Sequence, residues 1–264
     1  MSDYTSIELD LSPAGVAVVL LNRPEEKNAL NAHVVDELRD VFSAIAKSPN
    51  VRMLIIRGAG ECFSQGADVK WMRAAADYSE HDNFEDAMAF AEMLRELNDM
   101  PHPTLALVHG QARGGAIGMI AACDMAIGMA GTGFCFSEVK LGLIPAAVSP
   151  YVVNAIGPRW AKALFITAET FDATFAEKIG LLQYTAKDQT EMDMLAEDLT
   201  AKVFAAGPQA VGDAKQLVND IHGLEIDHAL SRLTAKRIAH RRMTDEGKEG
   251  LEAFLENRKP KWAD

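Results

Sequence analysis

The sequence predicts an α/β fold that ends in a helical section. Three observations carry this. Short apolar runs, VAVVLLN (residues 16–22), VRMLIIRG (51–58) and TLALVHG (104–110), read as buried strands. Helical spacing separates the first two, and from about residue 190 the pattern is helical and amphipathic to the end.

Taken in order, VAVVLLN stops at the turn-forming RPEEKN. Residues 31–47 then place Val34, Val35, Leu38, Val41, Phe42 and Ile45 on one helical face. VRMLIIRG closes on Gly58 and Gly60. Residues 68–99 are polar and helical, with MAFAEMLREL the clearest amphipathic piece, until Pro101 and Pro103 break it. After the TLALVHG strand, Gly114 and Gly115 open an apolar helix, GAIGMIAACD. MAIGMA and GTGFCFSE read as short strands, LGLIP as a loop, and VVNAIGPRWAKALFIT begins a helical region. AKQLVNDI, HALSRLTAKRIAHRRM and EGLEAFLENR complete the chain before Pro260. No Pro-, Gly- or Ser-rich linker separates the parts. The division expected is a core over residues 1–195 and a helical oligomerisation region over 196–264.

The 264 residues, 48% of them hydrophobic, suffice for one large core. MSDYTSIELD has neither a basic n-region nor an apolar h-region, so no signal peptide is expected. No window reaches the ~20 apolar residues of a membrane span. Cys62, Cys123 and Cys135 form no CxxC and leave an odd thiol, which fits a reducing, cytoplasmic compartment. A net charge of −12 argues against nucleic acid as a partner. His222, His228 and His240 lack matching ligand partners, and no metal is expected.

Two glycine-bearing turns bear on chemistry. Gly66-Ala67-Asp68 precedes a helical segment, and Gly114-Gly115 follows a strand and opens a helix. The first N–H groups of a helix lack internal partners and carry its positive dipole end. Two such groups converging on one point would stabilise an oxygen that gains negative charge. Spacing alone favours ordinary strand-to-helix turns, since Gly-rich turns are common, and neither cluster is a GxGxxG fingerprint.

NRPEEKNALN, FSQGADVKWM, ARGGAIGMIAACDMAIG, FCFSEVKLGLIP and EGLEAFLENRKPKW, in that order, resemble the crotonase or enoyl-CoA hydratase/isomerase superfamily. The likeness covers nearly the whole chain. LGLIPAAVSPYVVNAIG is most similar to bacterial hydratases of 3-methylglutaconyl-CoA and carboxygeranoyl-CoA type. The resemblance implies a spiral of ββα units with a C-terminal trimerisation region, and a trimer or a dimer of trimers. It implies that the N–H groups of Ala67 and Gly115 polarise a thioester carbonyl. Lys27, Ala29, Ala67, Asp68 and Val69 match loops that hold the coenzyme A moiety, Lys70 matches a basic position near its phosphates, and Phe254 matches a residue reaching the CoA of a neighbouring subunit. Coenzyme A would be part of the substrate, and no separate cofactor is implied.

Family hydratases use two glutamates sharing one water. The second matches Glu138, in FCFSEVK. The first falls on Gly118, which has no side chain. Three accounts follow. Glu138 alone handles the water, with a distal substrate carboxylate filling the space left at Gly118. Or Glu138 is the single base of a double-bond isomerase. Or the chain is a non-catalytic homologue that binds a CoA thioester or RNA. The first is preferred, because the LIPAAVSPYVV segment resembles hydratases that also tend to lack the first glutamate.

Other residues carry two readings each. Arg113 could bind a substrate carboxylate, or form a surface or inter-subunit ion pair. Trp71 and Met72, with Met88 and Met93, could line an acyl pocket or be core. Glu92 could project toward that pocket or be solvated. Ser149 could touch the acyl chain or cap the following helix. His109 reads as packed and hydrogen-bonded, Cys62 and Cys123 as inert thiols, and Asp124 as structural.

Overall fold

The computed structural model describes residues 4–263. β1 (Ile7–Leu11) and β2 (Val16–Leu21) form an antiparallel hairpin with Ile7 opposite Leu21. After a 3-10 turn at Pro24–Glu26 comes α1 (Ala32–Lys47), capped by the Asn31 side chain, which accepts from the Val34 N–H at 3.0 Å. Its buried stripe is the one read from spacing, with one addition: Glu37 is also buried. Its carboxylate accepts from the N–H groups of Thr5 (2.7 Å) and Ser6 (2.8 Å), fastening the lead-in to β1 onto α1.

β3 (Met53–Gly58) is followed by α2 (Val69–Ala75) and α3 (Glu80–Asn98), the latter opened by a reciprocal Ser79–Asp82 capping box. Then come β4 (Thr104–Val108), β5 (Gln111–Arg113), α4 (Gly115–Ala122), β6 (Met125–Met129) and β7 (Gly133–Cys135). A 3-10 turn at Glu138–Leu141 leads to α5 (Ser149–Thr167), which is interrupted at Gly157, directly before Pro158. β8 (Phe171–Asp172), α6 (Ala173–Ile179), β9 (Tyr184–Ala186) and α7 (Gln189–Ala205) complete the packed body. α8 (Pro208–Ile221), α9 (His228–Met243) and α10 (Asp245–Leu255) form the tail.

The main sheet has the order β1-β2-β3-β4-β6-β9, parallel from β2 onward; β5-β7-β8 make a second sheet. Strand β3 shows why both sheet faces are apolar. Leu54 and Ile56 face α1, α3 and α4, whereas Met53 and Ile55 face Met192, Ala196 and Leu199 of α7. This is the spiral of ββα units that the resemblance implied. Spacing did not reveal β1, whose IELDL is mostly exposed, nor the two- and three-residue strands β5, β8 and β9, nor the short α6.

The tail is held to the body by few contacts. Arg52, which also donates to Phe204 of α7, donates to the carbonyls of Ala206 (3.1 Å) and Trp262 (3.3 Å) beyond it, and Lys215 pairs with Asp124 at 2.9 Å. α8 and α9 bury no residue in the single chain. Among the described residues, no helix is long and apolar enough to cross a membrane.

Candidate active site

Three loop segments lie side by side at one end of the sheet. Leu30 donates to the Gly66 carbonyl at 2.8 Å, Asp68 donates to the Leu30 carbonyl at 2.8 Å, and Arg113 donates to the Ser64 carbonyl at 3.2 Å. The two turns singled out in the sequence are therefore neighbours. Among the described residues, neither the Ala67 nor the Gly115 N–H donates to a partner. Gly115 is the first residue of α4, so the positive end of that helix points out of the same place.

Gly114 has φ 47° and ψ −117°, and a Cβ there would stand 2.9 Å from Glu138 Oε1. Glycine is required twice over: by the backbone angle, and by the carboxyl that rests against it. Glu138 opens the 3-10 turn after β7. Lys140, in the same turn, donates from Nζ to the Ala168 carbonyl at 2.7 Å, tying the turn to the end of α5. Glu138 Oε2 is buried without a hydrogen-bond partner among the described residues. Burial pushes its carboxyl above the usual glutamate value, against the pull of its own N–H. A desolvated carboxyl beside two donor N–H groups can take or give a proton while a neighbouring oxygen gains charge.

Gly118 corrects an expectation. The space expected there is absent: a Cβ on Gly118 would overlap Val148 Cγ1 and stand 2.8 Å from Val148 Cβ and 3.4 Å from Leu94 Cδ1. A distal substrate carboxylate cannot lodge in that position, because apolar side chains fill it. Gly118 is helix packing.

Arg23, which the sequence reading passed over, organises the loop around Lys27 and Ala29. It donates to the Ala29 carbonyl at 2.6 Å, pairs with Asp68 at 3.1 Å, and pairs with Glu26. Asp68 accepts the Lys70 N–H at 2.8 Å as the cap of α2, so its side chain is committed within the protein. Burial raises the Asp68 carboxyl, but the Lys70 N–H and Arg23 outweigh it and hold it below the usual aspartate value. Asn28 supports the same turn by donating to the carbonyls of Ala59 (2.8 Å) and Cys62 (2.9 Å). Ala29 is buried, Val69 is exposed, Lys27 pairs with Glu61 at 3.0 Å, and Lys70 pairs with Glu26 at 3.1 Å. Phe254, on α10, is 82% exposed.

Trp71 is partly buried, and its indole N–H donates to Asp86 Oδ1 on α3 at 3.0 Å; Met72 beside it is also partly buried. Phe90, one turn after Asp86, puts its ring 2.9 Å from where a Gly115 Cβ would be. Met93 and Glu92 follow the plainer of their two readings, and Ser149 makes a local hydrogen bond. Met93 is fully buried in the core, Glu92 pairs with Arg95 at 2.7 Å on the surface, and the Ser149 hydroxyl donates to the Ala146 carbonyl from the first turn of α5 rather than capping it. Arg113 donates to Gln111 at 3.2 Å and has no carboxylate partner among the described residues. His109 is hydrogen-bonded to the Gly60 carbonyl at 3.0 Å. Desolvation pushes the Cys62 thiol up and the partly buried Cys123 thiol up to about 12, which disfavours the reactive thiolate in both. Asp124 accepts the Thr104 N–H at 2.8 Å.

Fold and site together define a protein of the crotonase fold. The chain belongs to the enoyl-CoA hydratase/isomerase family, whose model matches residues 12–264, and it is an enzyme of that family. It is 31% identical to a crotonyl-CoA hydratase of Syntrophomonas wolfei over 246 residues, covering 92% of this chain and 93% of the relative. Among solved structures, an enoyl-CoA hydratase from Shewanella pealeana superposes with a TM-score of 0.95 at 35% identity, covering 98% of this chain and 97% of that one. An enoyl-CoA hydratase/isomerase from Marinobacter aquaeolei gives 0.92 at 30% identity, with 98% and 99% covered.

Proposed function

We propose that this protein hydrates 2-enoyl-CoA thioesters, with Ala67 and Gly115 holding the enolate oxygen and Glu138 exchanging the proton at Cα. The single observation that carries the reading is the half-buried Glu138 carboxyl, with Oε2 buried and unpartnered and Oε1 against Gly114, beside the two free N–H groups. The hydratase relative supports the direction of the chemistry. Loop 27–30 and residues 67–70 would hold the CoA moiety, with Phe254 reaching a neighbouring subunit. Residues 196–264 would form the oligomer contact, since they expose Leu224, Ile226, Met243, Leu251 and Leu255. A 3-methylglutaconyl substrate would have to place its far carboxylate elsewhere than at Gly118, which offers no room; Arg113, without a carboxylate partner among the described residues, is the candidate.

The filling of the Gly118 position by Val148 also favours a second reading, an isomerase in which Glu138 carries a proton from C2 to C4 and no water is needed. The test is loss of conjugated enoyl absorbance from crotonyl-CoA and 3-methylglutaconyl-CoA, with wild type beside Glu138→Gln. Hydration should fall by roughly 10²–10⁴-fold in the variant. No hydration by the wild type, with conversion of a 3-enoyl-CoA to its conjugated isomer, overturns the first reading in favour of the second.

A further inference from the structure

Helices α3 and α4 run in the same direction where they touch. Phe90 meets Gly115 and, one turn on, Leu94 meets Gly118. Asp86 precedes Phe90 by four residues, on the same helical face. At 1.5 Å per residue it stands about 6 Å further back along α3, beyond the N-terminus of α4. The first N–H groups of a helix point out past its N-terminus, so that of Gly115, the first residue of α4, is directed toward the same end. Asp86 is partly buried there, and the Trp71 indole N–H holds one of its oxygens at 3.0 Å. The other oxygen has no hydrogen bond among the described residues.

We infer that Asp86 is the second carboxyl of the catalytic site, presented from α3 by Trp71, and that it takes the water proton for which Gly118 supplies no base. The inference rests on the hydratase reading above. The oxygen of water bonds to Cβ as one of its protons passes to Asp86. The π pair moves onto the thioester oxygen, which the N–H groups of Ala67 and Gly115 hold. Cα then takes the proton of Glu138, and the carbonyl reforms. Asp86 ends protonated and Glu138 ionised, and proton exchange with solvent resets both. Trp71 suits this role, because a single fixed donor orients the carboxylate and leaves its second oxygen open. Burial raises the Asp86 carboxyl despite that donor, which makes it a stronger base than an exposed aspartate.

The test separates the two carboxyls. Cα hydrogen exchange of butyryl-CoA in D₂O needs Glu138 and the oxyanion donors but no attacking water. Asp86→Asn should lower kcat for crotonyl-CoA hydration by roughly 10²-fold, with KM and the exchange rate each within about twofold of wild type. Trp71→Phe keeps the carboxylate and removes its donor; it should lower hydration severalfold with exchange intact, and it serves if Asp86→Asn fails to fold. Undiminished hydration in both variants overturns the inference. So does a parallel loss of hydration and exchange, which would mark Asp86 as a helix tether only. A wild type that exchanges but does not hydrate overturns the hydratase reading, and this inference with it.

Discussion

Glu138 sits in a place that suits its chemistry and costs the fold. Its carboxyl is half-buried, the buried oxygen has no partner, and it is held above its ordinary value. The native state therefore keeps this proton more tightly than the unfolded chain does. The favourable contribution is complete below the unfolded value, about pH 4.3, and is lost as pH rises through the folded value. Glutamine has no such loss. Glu138→Gln is expected to melt above the wild type at about pH 7.5, by roughly 2–4 °C per kcal/mol relieved. The gap should close as the pH is lowered toward 4; calorimetry across that range checks it, and equal melting points at neutral pH would contradict it. Glu138 and the glycines were legible in the sequence because they lie in contiguous motifs. Asp86 and Val148 were not, because each matters through a contact across helices that no local spacing encodes.

At the scale of elements, the site is an agreement between loops. The 24–30 segment and the 64–68 segment exchange backbone hydrogen bonds, and Arg23 adds a two-ended clamp from the Ala29 carbonyl to Asp68. Loss of the clamp frees the turn that carries Ala67, so both CoA grip and carbonyl alignment should suffer. Arg23→Ala is expected to reduce kcat/KM by about tenfold or more, with Arg23→Lys recovering only part, since lysine cannot span both acceptors with a planar fork. Steady-state kinetics on crotonyl-CoA decides, and an unchanged kcat/KM would remove Arg23 from the site. The apolar strands and the α1 stripe were readable because each buries a regular pattern. β5, β8 and β9 were not, since two or three residues carry no period, and they exist through pairing with distant partners.

On the scale of the molecule, α8–α10 do not bury themselves. A cavity of about 880 Å³ opens among them, lined by Leu217, Leu233, Leu251 and Trp262 with Arg237 and Arg242 at hand. Apolar surface on this scale in a chain of net charge −12 calls for a partner surface. The protein is expected to run as a trimer or a dimer of trimers in light scattering after gel filtration. A 28.7 kDa species at micromolar concentration would count against the oligomer. Helices α8 and α10 were plain from their periodicity, whereas α9 gathers its apolar residues on no single face, against the amphipathic reading; how little of the tail is buried in one chain was not legible, because amphipathic spacing does not say against what a face packs.

The contact between Gly118 and Val148 also makes the two residues interdependent. Introducing a carboxylate at residue 118 drives its side chain into Val148, and trimming Val148 alone leaves a hole beside a glycine. Each single step toward the two-glutamate arrangement is worse than the starting point, and only the pair together reaches it. Packing thus couples residues 118 and 148, and with Val148 in place a second carboxyl has to come from another helix.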